Sequence, residues 1–407
     1  MSKDINVLRR KATIGGCAAM LSAGLSTLLY SVCLGTIKEE FAMSAVLAGA
    51  LSTITLIGQA LGGIIAGYLA DRIGRPKVLA GSVSLVTLAG LIISFMHNET
   101  TFAIFRFMAG MGMGACYYLS VIFVGEFYET KVRATKGAVV TSFWNAGYVI
   151  VCLMSAYMLE PLGWRWLFRI SALPIIVAIW MFFNLEEAPA QQETQAIKRK
   201  AKGKNEYSVL FSKPEYIKKV IVWIASRIFY MFGYYAAITW LPNFVQTQVG
   251  LSLKSAGWFT AVNYMAMLIG TIIGGYVSDK LGRKKSYIIV SILLGLMAPV
   301  VAFKTNVNNI FFIMLIWGFL YGFPTGSSAT FMGESWPDDI RGTAVGLTYN
   351  LGRIGSWISP ILVGFLVDRG SAPMGIASVG IGYVLSALIL VPFVKEKEYD
   401  MSKNAEA

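Results

Sequence analysis

The sequence predicts an all-α polytopic membrane protein of about twelve transmembrane helices, arranged as two pseudo-symmetric six-helix bundles. Three observations predict it: an extreme apolar composition, a series of long runs with few charges, and an internal repeat held at one offset. Of 407 residues, 56% are hydrophobic and 14% charged, against roughly 45–50% and about 25% in a soluble domain. The 41 glycines fit the same class, because Gly lets membrane helices approach closely. This composition disfavours a soluble enzyme, a disordered regulator and a nucleic-acid binder.

A bilayer core takes about 20 apolar residues per helix. Suitable runs cover 12–37, 44–70, 78–96, 101–126, 135–158 and 164–184. A second set covers 217–246, 255–278, 286–304, 309–331, 342–367 and 373–394. They are too long for barrel strands and lack a period of two. Between the sets lies a Gln-, Lys- and Glu-rich stretch containing Lys198-Arg199-Lys200-Ala201-Lys202-Gly203-Lys204. The expected organisation is an N-terminal bundle (1–185), a solvated linker (186–216) and a C-terminal bundle (217–407). Contact of the linker's basic run with anionic headgroups is a second reading.

The net charge of +13 follows from topology. Arg72, Arg75 and Lys77, then Lys131, Arg133 and Lys136, then Lys280, Arg283, Lys284 and Lys285 fall in turns on one side. The linker and both ends (Arg9, Arg10, Lys11; Lys395, Lys397) share that side, and the opposite loops carry only scattered charges. By the positive-inside rule both termini are cytoplasmic, in a multi-pass plasma-membrane protein of the bacterial inner-membrane type. Cys17, Cys33, Cys116 and Cys152 lie in apolar runs without a CxxC, and His97 is the single histidine. Neither a metal site nor a cofactor is expected.

Gly67-Tyr68-Leu69-Ala70-Asp71-Arg72-Ile73-Gly74-Arg75-Pro76-Lys77 recurs as Gly275-Tyr276-Val277-Ser278-Asp279-Lys280-Leu281-Gly282-Arg283-Lys284-Lys285. The offset, about 208 residues, also aligns Gly125-Glu126 with Gly333-Glu334, Arg133 with Arg341 and Gly147 with Gly355. Gly110 and Gly114 align likewise with Gly318 and Gly322. The chain therefore reads as a duplicated six-helix unit with both copies in one orientation, an arrangement found in transporters.

The Gly-x-x-x-Asp-Arg-x-Gly-Arg-x-Lys segment resembles the signature of the major facilitator superfamily. So do Arg106-Phe107-Met108-Ala109-Gly110-Met111-Gly112-Met113-Gly114 and Gly163-Trp164-Arg165-Trp166-Leu167-Phe168. Glu126…Arg133, Glu334…Arg341 and Thr239-Trp240-Leu241-Pro242, placed at the end of the seventh span, resemble sugar porters and organic-acid symporters. Among these groups the sequence is most similar to aromatic-acid, sialate and monocarboxylate proton symporters. It departs from the aromatic-acid pattern, Asp-Gly-x-Asp, at Ser22–Tyr30, which holds no acid. The Gly-Pro antiporter pattern of drug exporters is missing from Gly137–Tyr157. The resemblance implies a conformational latch built from Asp71, Arg75, Glu126 and Arg133, with a twin in Asp279, Arg283, Glu334 and Arg341.

The residues themselves point to an anionic cargo. Ionisable groups inside spans are costly and are functional candidates by default. Arg106, Arg227 and Arg353 lie within apolar runs, and no Asp or Glu sits comparably deep. An arginine in a low-dielectric cavity seeks a counter-ion, and a substrate carboxylate supplies one. The competing reading is a snorkelling side chain bonded to backbone carbonyls. Helical spacing adds Tyr230 and Tyr234 to Arg227, Asn350 and Trp357 to Arg353, and Tyr117 to Arg106. Gln59 and Asn145 join the candidates, with Trp144, Asn263 and Tyr321 behind them. The expected function is import of a small organic anion, with protons, by a monomer in the lipid bilayer. Alternatives are a carrier of sugar, polyol or another neutral metabolite, or a drug:proton exporter. No nucleic-acid partner is expected.

Overall fold

The computed structural model describes residues 5–128, 130–187, 209–337 and 340–394, excluding the side chains at 71, 130–135, 329, 341 and 342. Asp71, Arg133 and Arg341 therefore lie, as side chains, outside the described residues. So do most of the 186–216 linker and the basic ends at 395–397.

The first half holds α1 (Ile5–Glu40), α2 (Ala45–Ile73), α3 (Arg75–Ile93), α4 (Glu99–Gly125), α5 (Thr130–Met154), a π-helical turn (Ser155–Leu159), α6 (Glu160–Ile170) and α7 (Ile175–Asn184). Then follow α8 (Pro214–Val249), α9 (Leu253–Leu281), α10 (Arg283–Lys304), α11 (Ile310–Glu334), α12 (Arg341–Gly352), α13 (Ile354–Asp368) and α14 (Ala372–Leu390). No strand occurs among the described residues. The apolar runs leave little choice, since a segment in hydrocarbon must satisfy its own N–H and C=O groups.

Eleven stretches among the described residues are long and apolar enough to cross a membrane. One, Lys136–Asn184, has 49 residues, more than twice what a crossing takes, and contains the expected fifth and sixth spans. Its chain breaks at Gly163, whose φ of +76° favours glycine. Two local expectations are corrected. The run 164–184 is interrupted by a turn at 171–174, which ends on Pro174 at the start of α7. The seventh span does not end at Pro242, because α8 continues to Val249 with that proline inside it. The run 342–367 stands as one span, Thr343–Asp368, with a tight turn at Arg353 where α12 passes into α13.

The chain divides into two compact units. The first comprises Met1–Gly203 with Val245–Thr247 and Leu251–Ala261; the second comprises Lys204–Phe244, Gln248–Gly250 and Val262–Ala407. In the first, α2 and α4 meet so closely that a Cβ at Gly110 would strike the Thr55 carbonyl, and one at Gly114 the Gln59 carbonyl. In the second, Gly318 and Gly322 of α11 meet the carbonyls of Asn263 and Met267 of α9 in the same way. The sequence repeat is thus a repeat of helix crossings. Lipid tails are as apolar as side chains, so such close packing has to hold membrane helices together. Each unit also turns large apolar side chains outward, among them Phe183 (84% exposed) and Ile272 (67%), as lipid contact requires.

Candidate functional site

Among the described residues the buried charged side chains are Arg106, Arg227 and Arg353, and none of the described Asp or Glu side chains is buried. In the first unit α4 carries Arg106, whose guanidinium carbon lies 4.6 Å from the ring centroid of Tyr30 on α1. The Tyr30 hydroxyl donates to the Ala48 carbonyl at 2.8 Å, which fixes the ring. Arg106 Nη1 reaches the Ser26 carbonyl only at 3.5 Å, and its Nε has no hydrogen-bond partner. Gln59 is buried, and its Nε2 has no hydrogen-bond partner. Tyr117 stands edge-on to Trp144 at 5.4 Å, and Asn145 is half-buried.

In the second unit Arg227 of α8 lies 4.7 Å from the Tyr230 ring centroid and 5.1 Å from that of Tyr349 on α12. Its Nε and Nη1 have no hydrogen-bond partner. Arg353 is 5.7 Å from the same Tyr349 ring. Tyr230 opens a column of parallel rings: Tyr234 at 6.1 Å, then Tyr321 at 5.1 Å, then Trp317 at 6.1 Å. The Tyr321 hydroxyl donates to the Tyr234 carbonyl at 2.6 Å and so ties α11 to α8. Trp357 is half-buried. Asn350 is exposed, and its amide donates to the Gly346 carbonyl of its own helix.

The structure thus brings Arg227, Tyr230, Tyr234 and Arg353 into one cluster. It also supplies Tyr30 and Tyr349, which the sequence reading did not single out. Tyr349 is four residues before Arg353 and shares its helical face, a spacing that pointed to Asn350 when taken as three. Tyr30 approaches Arg106 from another helix and has no local signal.

At the end of α4, Glu126 is ion-paired with Arg75. In the second unit Arg283 pairs with Glu334 and, at 3.0 Å, with Asp279. At the other end of α1, Glu40 accepts from Trp164 Nε1 and from Arg165, both at 2.6 Å. Arg165 also donates to the Met96 carbonyl and touches His97 Nδ1. A buried guanidinium with open donors is matched by a planar oxyanion, to which it offers two parallel N–H···O bonds.

The Major Facilitator Superfamily sequence pattern matches residues 15–360 and again 227–407. A cis,cis-muconate transport protein of Acinetobacter baylyi is 33% identical over 394 residues, covering 95% of this chain and 94% of that protein. A gentisate transporter of Corynebacterium glutamicum is 24% identical over 417 residues, with coverage of 98% and 90%. The inward-open structure of the E. coli xylose transporter XylE superposes with a TM-score of 0.80 at 19% identity, covering 99% of each chain. With family sequence, fold and duplicated helix crossings in agreement, this multi-pass membrane chain belongs to the Major Facilitator Superfamily.

Proposed function

We propose that this chain is a secondary transporter importing a small organic carboxylate, with protons, across a bacterial inner membrane. Buried charge carries the reading: three guanidiniums lie inside the two units, and no described carboxylate is buried with them. The muconate and gentisate transporters among its relatives support it. Import of an anion alone works against a negative-inside potential at about 2.3 kcal/mol per charge per 100 mV. A co-transported proton removes that cost.

Two six-helix bundles, 1–185 and 217–407, rock about the 186–216 linker, with the linker and both termini cytoplasmic and one copy sufficient. Arg75–Glu126 and Arg283–Glu334–Asp279 act as cytoplasmic latches, joined by Asp71, Arg133 and Arg341. Arg106, Arg227 and Arg353 meet the cargo, with Gln59, Tyr117, Asn145, Tyr230, Tyr234, Asn350 and Trp357 as supporting candidates.

The test is uptake of labelled muconate, benzoate, lactate and sialate into liposomes holding the purified protein, with and without an inward proton gradient. Gradient-driven accumulation of one acid is expected. Transport of sugars with no uptake of any acid would return the arginines to a structural role.

A further inference from the structure

We propose that Ser52 is a further cargo-binding residue, its hydroxyl kept free by Tyr30 to hold the cargo's carboxylate beside Arg106. This rests on the organic-anion reading above and adds a donor and a positioning residue to it.

A serine or threonine inside a helix commonly turns its hydroxyl back to the carbonyl four residues earlier. Ser22 does so to Ala18 at 2.8 Å, Thr55 to Leu51 at 3.0 Å, Ser82 to Val78 at 2.7 Å and Ser120 to Cys116 at 2.6 Å. Ser52 does not. Its side chain is buried, and its Oγ has no hydrogen-bond partner among the described residues. The reason lies at the carbonyl it would use, that of Ala48. Within α2 that oxygen is the acceptor for the Ser52 N–H by helix geometry. It also accepts the Tyr30 hydroxyl of α1 at 2.8 Å. A carbonyl oxygen has two lone pairs, and both are taken.

The second repeat supplies a control. At the offset of about 208 residues, Ala48 corresponds to Ala256, Ser52 to Thr260, and Tyr30 to Ile238, which has no hydroxyl. There the Thr260 hydroxyl turns back to the Ala256 carbonyl at 2.7 Å. Arg106 corresponds to Met314. The free hydroxyl thus occurs in the repeat that has both the tyrosine and the arginine.

The helix crossing brings Ser52 level with Arg106. Gly110 and Gly114 of α4 meet the carbonyls of Thr55 and Gln59 on α2, so the two helices run in register, four residues for four. One turn back along both, that register sets Arg106 opposite Leu51 and Ser52. Tyr30 joins them, its ring centroid 4.6 Å from the Arg106 guanidinium carbon. Arg106 Nε has no hydrogen-bond partner among the described residues, and Nη1 reaches the Ser26 carbonyl only at 3.5 Å. Buried donors left without acceptors are costly. A carboxylate only accepts, so one of its oxygens takes the guanidinium N–H and the other the Ser52 hydroxyl.

The experiment is a double-mutant cycle on Ser52→Ala, Tyr30→Phe and the two combined. Each purified protein in liposomes is assayed for uptake of labelled muconate, benzoate, lactate and sialate. Half-saturation is compared for the acid that the wild type carries with the lowest value. Ser52→Ala is expected to raise it about tenfold, equivalent to about 1.4 kcal/mol, with maximal rate and melting temperature near wild type. Tyr30→Phe keeps the ring beside Arg106 but vacates the lone pair on Ala48. Ser52 then turns back, and half-saturation is expected to rise about as much. The double variant is expected to be no worse than either single one. Unchanged half-saturation in Ser52→Ala overturns the proposal, whatever happens to the maximal rate or melting temperature. Effects that multiply to about a hundredfold in the double variant overturn it as well, because the two residues would then act independently. Uptake of none of the four acids by the wild type overturns the organic-anion reading and this proposal together.

Discussion

Arg75, the first residue of α3, is ion-paired with Glu126, the residue that caps α4. One repeat later Arg283 and Glu334 make the same pair. Both members of the first pair are partly exposed, with side chains at 17% and 21%. A pair in that setting contributes about 1 kcal/mol or less to stability. Its removal should therefore show in turnover, not in melting. Glu126→Gln is expected to lower the initial transport rate about tenfold, equivalent to about 1.4 kcal/mol in a barrier, with a near-unchanged melting temperature. A normal rate with a lowered melting temperature would make the pair a static anchor.

Arg106 has a natural hydrophobic counterpart. At the repeat offset its position in the second unit is Met314, fully buried in α11. Replacing a buried ion pair or triad by apolar side chains of similar volume is often neutral or stabilising, by about 1–4 kcal/mol, because the desolvation cost of the charges is recovered, and the same recovery applies to a lone buried guanidinium. Arg106→Met is thus expected to hold or raise the melting temperature while anion uptake falls at least about a hundredfold, equivalent to about 2.8 kcal/mol of lost interaction by the tenfold-per-1.4 rule. Radiolabelled uptake alongside thermal denaturation of the same preparation checks both halves. Uptake retained in a stable variant would place the cargo elsewhere.

Glu40 gathers three segments at the far end of α1. Its carboxylate takes the Trp164 indole N–H and the Arg165 guanidinium, while Trp164 packs edge-on against Phe41, Phe102 and Phe168. The Arg165 and Glu40 side chains are 23% and 39% exposed, so solvent weakens the charged contact. Glu40→Ala is expected to destabilise by about 1 kcal/mol, with a shift in Trp emission as the indole loses its acceptor. An unaltered spectrum would mean that the ring cluster alone holds Trp164.

What the sequence revealed and what it withheld differ in range. The spans were legible because apolar runs of this length have few alternatives, and the duplication because Gly110 and Gly114 return as Gly318 and Gly322 against matching carbonyls. The tight turn at Arg353 was hidden, since Leu351, Gly352, Arg353 and Ile354 carry no breaker stronger than one glycine. Arg106 with Tyr30, and Arg227 with Tyr349, are contacts between helices distant in sequence. Periodicity on one helix could find the arginines but not their aromatic partners.

The glycine crossings supply the sharpest test of packing. Gly318 lies on α11 with the Asn263 carbonyl where its Cβ would be, and rigid backbone on both helices leaves nothing that can swing away. Gly81 on α3 has no neighbouring atom within 4 Å of its would-be Cβ. Gly318→Val must push α9 and α11 apart, at an overpacking cost of about 1–3 kcal/mol or more. Gly81→Ala should instead stabilise by up to about 1 kcal/mol, because alanine restricts the unfolded chain and suits a helix interior. Melting temperatures of the two variants in the same detergent decide the matter. If Gly318→Val melted with the wild type, the α9–α11 crossing would have to be looser than the carbonyl contact allows.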